Sequence, residues 1–177
     1  YLLSKNGLGL RYYQVEAIQA VEEALISGKE KALLTMATGT GKTMTALGLI
    51  YRLLKTKKYK RILFVVDRSA LGIQAGETFK NVKIEQQMTL KQIYDIKELS
   101  DKHSEDDTKV HVATVQGLIK RILYNTEEEK KPSVGQYDCI IVDEAHRGYI
   151  LDKDMSEEES YFHDEKDFQS KYRAVLE

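Results

Sequence analysis

The sequence predicts an α/β fold, a mainly parallel β-sheet flanked by helices, and three observations carry that expectation. Strand-sized apolar runs alternate with segments of helical periodicity along the chain. The run Lys31-Ala-Leu-Leu-Thr-Met-Ala-Thr-Gly-Thr-Gly-Lys-Thr-Met-Thr-Ala-Leu47 reads as a short strand, a glycine-interrupted turn and a helix start. A second apolar strand, Tyr137 to Val142, ends abruptly in Asp143-Glu144.

In chain order, Arg11 to Ile26 places Val15, Ile18, Val21 or Glu22, and Leu25 at helical spacing, with Gly28 as its C-terminal cap. Lys31 to Met36 is expected as the first strand, and Lys42 to about Lys55 as the helix after the glycine turn, carrying Ala46, Leu47, Leu49 and Ile50. Arg61 to Val66 reads as a buried strand ending in Asp67-Arg68-Ser69. Ser69 can cap a helix running through Leu71, Ile73, Ala75 and Phe79. Residues 81–99 match no single period, and Ser100 to Thr108 is polar enough for a loop. Lys109 to Thr114 alternates like a strand, and Val115 to Leu123 reads as a helix. Glu127 to Pro132 is a charged connection before the last strand. Such βαβ alternation implies right-handed crossovers and ligand sites beyond the carboxyl ends of the strands. That rule would gather the glycine turn, Asp67-Arg68, Thr114-Val115-Gln116 and Asp143-Glu144 onto one edge.

Composition narrows the class. The 177 residues, 42% hydrophobic and 31% charged, suit one soluble domain with a substantial core. The longest apolar runs, Ile62 to Val66 and Cys139 to Val142, are too short to span a bilayer, so no membrane role is expected. There is no secretory signal at the start. The single cysteine, Cys139, argues against a disulfide framework and fits a reducing cytoplasm. A net charge of −1 neither favours nor excludes nucleic acid, and the basic block from Arg52 to Arg61 carries no weight by itself. Tyr1 in place of an initiator Met, and a helical pattern still running at Glu177, lead us to expect a piece of a longer polypeptide.

The glycine turn has the chemistry of a phosphate cradle. Gly39 and Gly41 can take positive φ and let the backbone approach an anion closely. The turn then aims consecutive N–H groups and the positive end of a helix dipole at one point. Lys42 adds a charge for the β- and γ-phosphates, and Thr43 offers a hydroxyl to Mg²⁺. Only the second half of the P-loop consensus is met, because its first glycine would fall at Met36. Asp143-Glu144-Ala145-His146 supplies what such a loop needs. Asp143 can hold Mg²⁺ opposite Thr43, and Glu144 can orient or deprotonate the water attacking the γ-phosphate. His146 would link nucleotide state to a second domain.

Together, Thr38-Gly-Thr-Gly-Lys-Thr43 and Asp143-Glu-Ala-His146 resemble a superfamily 2 helicase or translocase of the DEAH-box type. Phe64 to Gln74 is similar to the family's motif Ia, Thr114-Val-Gln-Gly-Leu118 to motif Ib, and Leu10-Arg-Tyr-Tyr-Gln14 to its Q-type motif. The wording Met36-Ala-Thr-Gly-Thr-Gly-Lys-Thr43, Val66-Asp-Arg-Ser-Ala-Leu71 and Asp143-Glu-Ala-His-Arg-Gly-Tyr149 resembles in particular the motor subunit of type I restriction enzymes. The match runs from about Leu8 to Tyr149.

The resemblance implies an incomplete first RecA-like domain. Residues 1–30 would form an N-terminal helix with the Q-type motif, and residues 31–177 the ATP-binding motor domain, cut before the family's Ser/Thr-Ala-Thr motif. It implies that Gln14 contacts adenine, that Thr38, Gly39, Thr40, Gly41, Lys42, Thr43 and Met44 bind ATP, and that Thr43 and Asp143 hold Mg²⁺. Lys42, Asp143 and Glu144 would be catalytic, and His146 would couple the domains. Arg68, Thr114 and Gln116 would lie along the backbone of double-stranded DNA, where hydroxyl, amide and guanidinium groups bind phosphate without reading sequence. The implied partners are a second RecA-like domain and a nuclease domain of the same longer chain, with methyltransferase and specificity subunits. Glu128-Glu129-Lys130 and Glu129-Lys130-Lys131 have nuclease-like spacing but sit in a charged loop beside Pro132, which argues against a nuclease site. Competing readings are a type III restriction subunit, a repair helicase, or a nucleotide-binding module that does not move on nucleic acid.

Overall fold

The computed structural model describes residues 2, 3, 7–66, 69–85, 87–98, 107–123, 133 and 135–145. The described residues fall into two units, one lying within 1–60 and 74–95 and the other within 61–73 and 96–145.

The first unit is built on two helices, α1 (Tyr12–Ile26) and α2 (Lys42–Lys55). Each turns an apolar stripe inward, with Ile18 and Val21 buried on α1 and Leu47, Ile50, Leu53 and Leu54 on α2. Full burial of one such side chain contributes roughly 1.5–3 kcal/mol relative to leaving it exposed. Gly48 lets the helices close: a Cβ there would lie 2.9 Å from Ile18 Cδ1 and 3.0 Å from Leu10 Cδ1. At the far end of the contact Arg52 donates two parallel hydrogen bonds to Glu22, at 2.8 and 2.9 Å. α1 ends as its sequence signals. Gly28 takes φ +84° and donates to Leu25, and Lys29 reaches back to Ala24 at 3.0 Å, completing a Schellman stop.

The remainder of this unit is the later part of α3 (Ser69–Asn81), the short antiparallel pair β2 (Lys83–Glu85) and β3 (Met88–Thr89), and the single turn α4 (Leu90–Ile93). Glu85 on β2 accepts from both Tyr51 and Lys55 of α2. The basic block is therefore already engaged in part, since Arg52, Lys55 and Lys58 bond Glu22, Glu85 and the Leu25 carbonyl.

One expected element is not formed. Residues 31–36 make no strand; Leu33 is 81% and Leu34 37% exposed. An apolar run becomes a strand only by exchanging backbone hydrogen bonds with a neighbour, and no described strand pairs with this one.

The second unit is a four-stranded sheet in the order β4-β5-β1-β6, formed by β1 (Ile62–Val66), β4 (Ile96–Lys97), β5 (Val110–Thr114) and β6 (Cys139–Val142). All three pairings are parallel, with Ile62 opposite both Val110 and Cys139. β1 is buried along its whole length, as a central parallel strand must be. α5 (Val115–Leu123) covers one face, where Val115, Leu118 and Ile119 meet Leu63, Val65 and Ala113. His111 is the polar member of that face. Arg121 of α5 can only donate, so His111 Nε2 accepts from it at 3.3 Å, and the Nδ1 proton points to the Tyr137 hydroxyl. The parallel sheet with its helix layer is the α/β arrangement that the alternating pattern predicts.

Candidate nucleotide-binding site

In the first unit the chain from Ala37 to Thr43 forms a tight turn running straight into α2. Thr40 closes it by donating from its backbone N–H and its hydroxyl to the Ala37 carbonyl, at 3.3 and 2.6 Å. Gly39 and Gly41 have φ of +79° and +85°, the left-handed region that glycine enters without steric cost. Gly41 is the N-cap of α2 and brings no capping side chain, and Lys42, Thr43 and Met44 form the first turn. Thr38 and Gly39 are exposed, and Thr40 to Met44 half-buried. Backbone donors, a helix start and a lysine at one place fit the phosphates of a nucleotide.

Gln14 makes contacts that its sequence position alone does not announce. The side chain is only 5% exposed, and its amide is committed to the turn itself. Nε2 donates to the carbonyls of Thr40 and Gly41, both at 3.1 Å, while Oε1 accepts the Arg11 N–H at 2.8 Å. Both amide protons are thus engaged. Tyr13, a member of the same motif to which the sequence assigns no role, also donates to the Thr40 carbonyl, at 3.1 Å. A usable signal was present: Gln14 lies three residues beyond Arg11, the spacing at which an N3 glutamine reaches back to the residue before the helix.

In the second unit the carboxyl edge of the sheet brings Thr114–Gln116 and Asp143–Glu144 to the same end, because Val66 pairs with Thr114 and Val65 with Val142. Asp143 continues the β6 ladder by donating to the Val65 carbonyl at 2.8 Å, and its Oδ1 accepts the Glu144 N–H at 3.0 Å. Glu144 has φ +52°, a left-handed conformation that costs a non-glycine residue on the order of 1–2 kcal/mol. Thr114 caps α5: its Oγ1 accepts the Gly117 N–H at 3.0 Å, and a Cβ on residue 117 would crowd that oxygen. Its hydroxyl proton is left to donate elsewhere. Gln116 is exposed. Burial and the Asp138 charge push the Cys139 thiol up to about 11, which keeps it a neutral apolar side chain. Arg68, His146 and the Glu128–Lys131 stretch lie outside the described residues.

Oxygen donors such as the Thr43 hydroxyl and the Asp143 carboxylate are the hard ligands Mg²⁺ takes. Among the described residues no helix is long and apolar enough to cross a membrane.

Comparison with known proteins shows the family to which the chain belongs. The endonuclease subunit of the type I restriction enzyme EcoKI from Escherichia coli is 53% identical over 170 residues, covering 96% of this chain and 14% of that protein. The EcoAI endonuclease subunit of Escherichia coli is 36% identical over 147 residues, or 81% and 16% of the two chains. The SsaAORF53P endonuclease subunit of Staphylococcus saprophyticus is 29% identical over 152 residues, or 82% and 15%. The chain thus spans about a seventh of the length of these curated relatives. Residues 7–177 match the family model described as type III restriction enzyme, res subunit, and the chain belongs to that family of helicase-like restriction-enzyme subunits.

Proposed function

We propose that this chain is the ATP-binding motor domain of a DNA translocase, the restriction subunit of a type I restriction-modification enzyme, coupling ATP hydrolysis to movement on double-stranded DNA. The observation that carries the reading is the turn at Gly39 and Gly41. Two left-handed glycines lead directly into a helix that opens with Lys42 and Thr43. Bound ATP with Mg²⁺ supplies the γ-phosphoryl group and the charge that polarises it. Around it, Thr38 to Met44 present backbone donors, Lys42 neutralises phosphate oxygens, and Thr43 and Asp143 offer oxygen ligands. Glu144 holds a water or takes its proton. Gln14 retains one free lone pair on Oε1 for the exocyclic amine of adenine, its NH₂ staying on the loop. Thr114 and Gln116, with Arg68, are assigned to phosphates of the DNA backbone, and His146 to coupling with a second RecA-like domain. The division into a Q-motif helix (1–30) and a motor domain (31–177) belongs to the same proposal. So do a nuclease domain in the same longer polypeptide, methyltransferase and specificity subunits as partners, and a cytoplasmic setting.

A second motor reading, a type III restriction subunit, is favoured by the description of the matching family model. The curated relatives above, described as type I endonuclease subunits, favour the first. The test is phosphate release by the full-length polypeptide with and without double-stranded DNA. Lys42→Ala removes a charge-assisted contact worth about 1.5–3 kcal/mol, so its affinity for an ATP analogue should fall roughly 10- to 150-fold. Unchanged affinity would refute the ATP-site reading. DNA cleavage that proceeds without a specificity subunit would favour the second motor reading.

A further inference from the structure

We infer that Tyr13, held by Arg11, is a positioning residue for the phosphate loop; this rests on the ATP-site reading and deepens it. The inference starts from peptide geometry. In a trans peptide the C=O of one residue and the N–H of the next lie in one plane and point in opposite directions. Fixing the Thr40 carbonyl therefore fixes the Gly41 N–H, and fixing the Gly41 carbonyl fixes the Lys42 N–H. Those are the donors that enter the first turn of α2.

Both carbonyls are held by the segment that opens α1. Gln14 Nε2 takes the Gly41 carbonyl and shares the Thr40 carbonyl with the Tyr13 hydroxyl, all at 3.1 Å. The direction of the Tyr13 hydroxyl is not open to choice. Arg11 Nη1 lies 3.1 Å from the same oxygen and can only donate, so the oxygen accepts from Arg11 and its single proton goes to Thr40. Tyr13 is further held edge-on against Tyr12, with ring centroids 5.5 Å apart. Gly41, being glycine, has the rotational freedom to drift, and two side chains from a helix start 26 and 27 residues before Thr40 remove it.

The site of action also argues against a purely structural role. Tyr13 is only half-buried and Arg11 exposed, so water can replace the hydroxyl with little loss to the core. What water cannot replace is the fixed direction of the Thr40–Gly41 peptide plane. The effect of losing the hydroxyl should thus fall on the affinity for phosphates, whatever base is attached to them.

The experiment is Tyr13→Phe in the full-length polypeptide, probed with ATP, GTP and inorganic tripolyphosphate. One neutral hydrogen bond corresponds to about a two- to tenfold change, and affinity for ATP and for tripolyphosphate should fall by the same factor within that range. The ATP-to-GTP ratio, the thermal midpoint and kcat at saturating ATP should stay as in the wild type. Arg11→Ala should act in the same direction and add little to Tyr13→Phe, because both work through one hydroxyl. Equal tripolyphosphate affinity in wild type and Tyr13→Phe would overturn the inference, and so would a loss seen for ATP alone. If the wild type itself bound neither ATP nor tripolyphosphate, the ATP-site reading would fall; a wild type that binds beside an unaltered mutant sinks only the role of Tyr13.

Discussion

Gly41 and Glu144 both stand in left-handed backbone, and they are held there by opposite means. At Gly41 the conformation costs nothing sterically, and the difficulty is to prevent other conformations. Hydrogen bonds from Tyr13 and Gln14 do that from outside the loop. At Glu144 the side chain makes the conformation costly, and the backbone must enforce it. The ladder bond from Asp143 to Val65, with the Asp143 carboxylate on the Glu144 N–H, supplies the restraint. On the proposed ATP-site reading, a loop that shapes itself around an anion uses a permissive residue under external control. On the same reading, the carboxylate of Glu144 tolerates strain to stand at one spot.

The comparison is tested most severely at Glu144. Glu144→Gln keeps the shape and the strained backbone but removes the base, so in the full-length polypeptide nucleotide binding should persist while turnover falls roughly 10²–10⁴-fold. Phosphate release near the wild-type rate would show that the strained backbone serves something other than hydrolysis.

At the other site the vulnerable atom is the missing one. Gly41→Ala meets two obstacles, a φ of +85° and a Cβ 2.5 Å from Gln14 Nε2. Left-handed alanine costs about 1–2 kcal/mol, and displacing Gln14 sacrifices hydrogen bonds worth about 1 kcal/mol each. A combined loss of about 2–4 kcal/mol should appear as a lower thermal midpoint together with a collapse of ATP-analogue affinity. Gly39→Ala is a control for the contact alone, since nothing lies within 4 Å of a Cβ there and only the φ penalty applies.

These sites also show how far the sequence could be read. α2 and α5 fall at Lys42–Lys55 and Val115–Leu123, as expected, because glycine before one and threonine before the other are local stop-and-start signals. β1, β5 and β6 emerge within one or two residues of their expected ranges, since each is a strand-sized apolar or alternating run with a clear end. Residues 31–36 carry the same kind of run without forming a strand, for pairing is a property of two segments and periodicity reports one. The elements between Lys83 and Lys97 are two to four residues long, below the reach of any period. Even there a signal lay unread: Thr89-Leu-Lys-Gln92 has the spacing of a capping box, and Gln92 does accept the Thr89 N–H at 2.8 Å. Besides the adenine contact expected of it, Gln14 holds the loop carbonyls of Thr40 and Gly41, partners that the sequence does not announce. A glutamine's residue type announces hydrogen bonding, whereas whether it meets a base or a carbonyl depends on where α1 lands.

What lands it is the contact between α1 and α2, and the smallest expected effect asks how that contact is divided. At one end Gly48 admits Ile18 and Leu10, close to the phosphate loop in sequence. At the other, Arg52 grips Glu22 with both prongs of its guanidinium, yet the arginine side chain is 42% exposed. An exposed pair of this kind contributes about 0.2–1 kcal/mol, less in salt, because water screens the charges and the long side chains lose freedom. Arg52→Met keeps the apolar stem and deletes the fork. Its thermal midpoint should drop slightly at low ionic strength and approach the wild type in high salt. Affinity for ATP should not change, because the buried side chains of Ile18, Leu47 and Ile50 still seat α1, and they outweigh one screened ion pair severalfold. A fall in ATP affinity with Arg52→Met would mean that the far end of the helix pair governs where Tyr13 and Gln14 sit, and that the clamp on Gly41 is set by the ion pair rather than by the apolar seam.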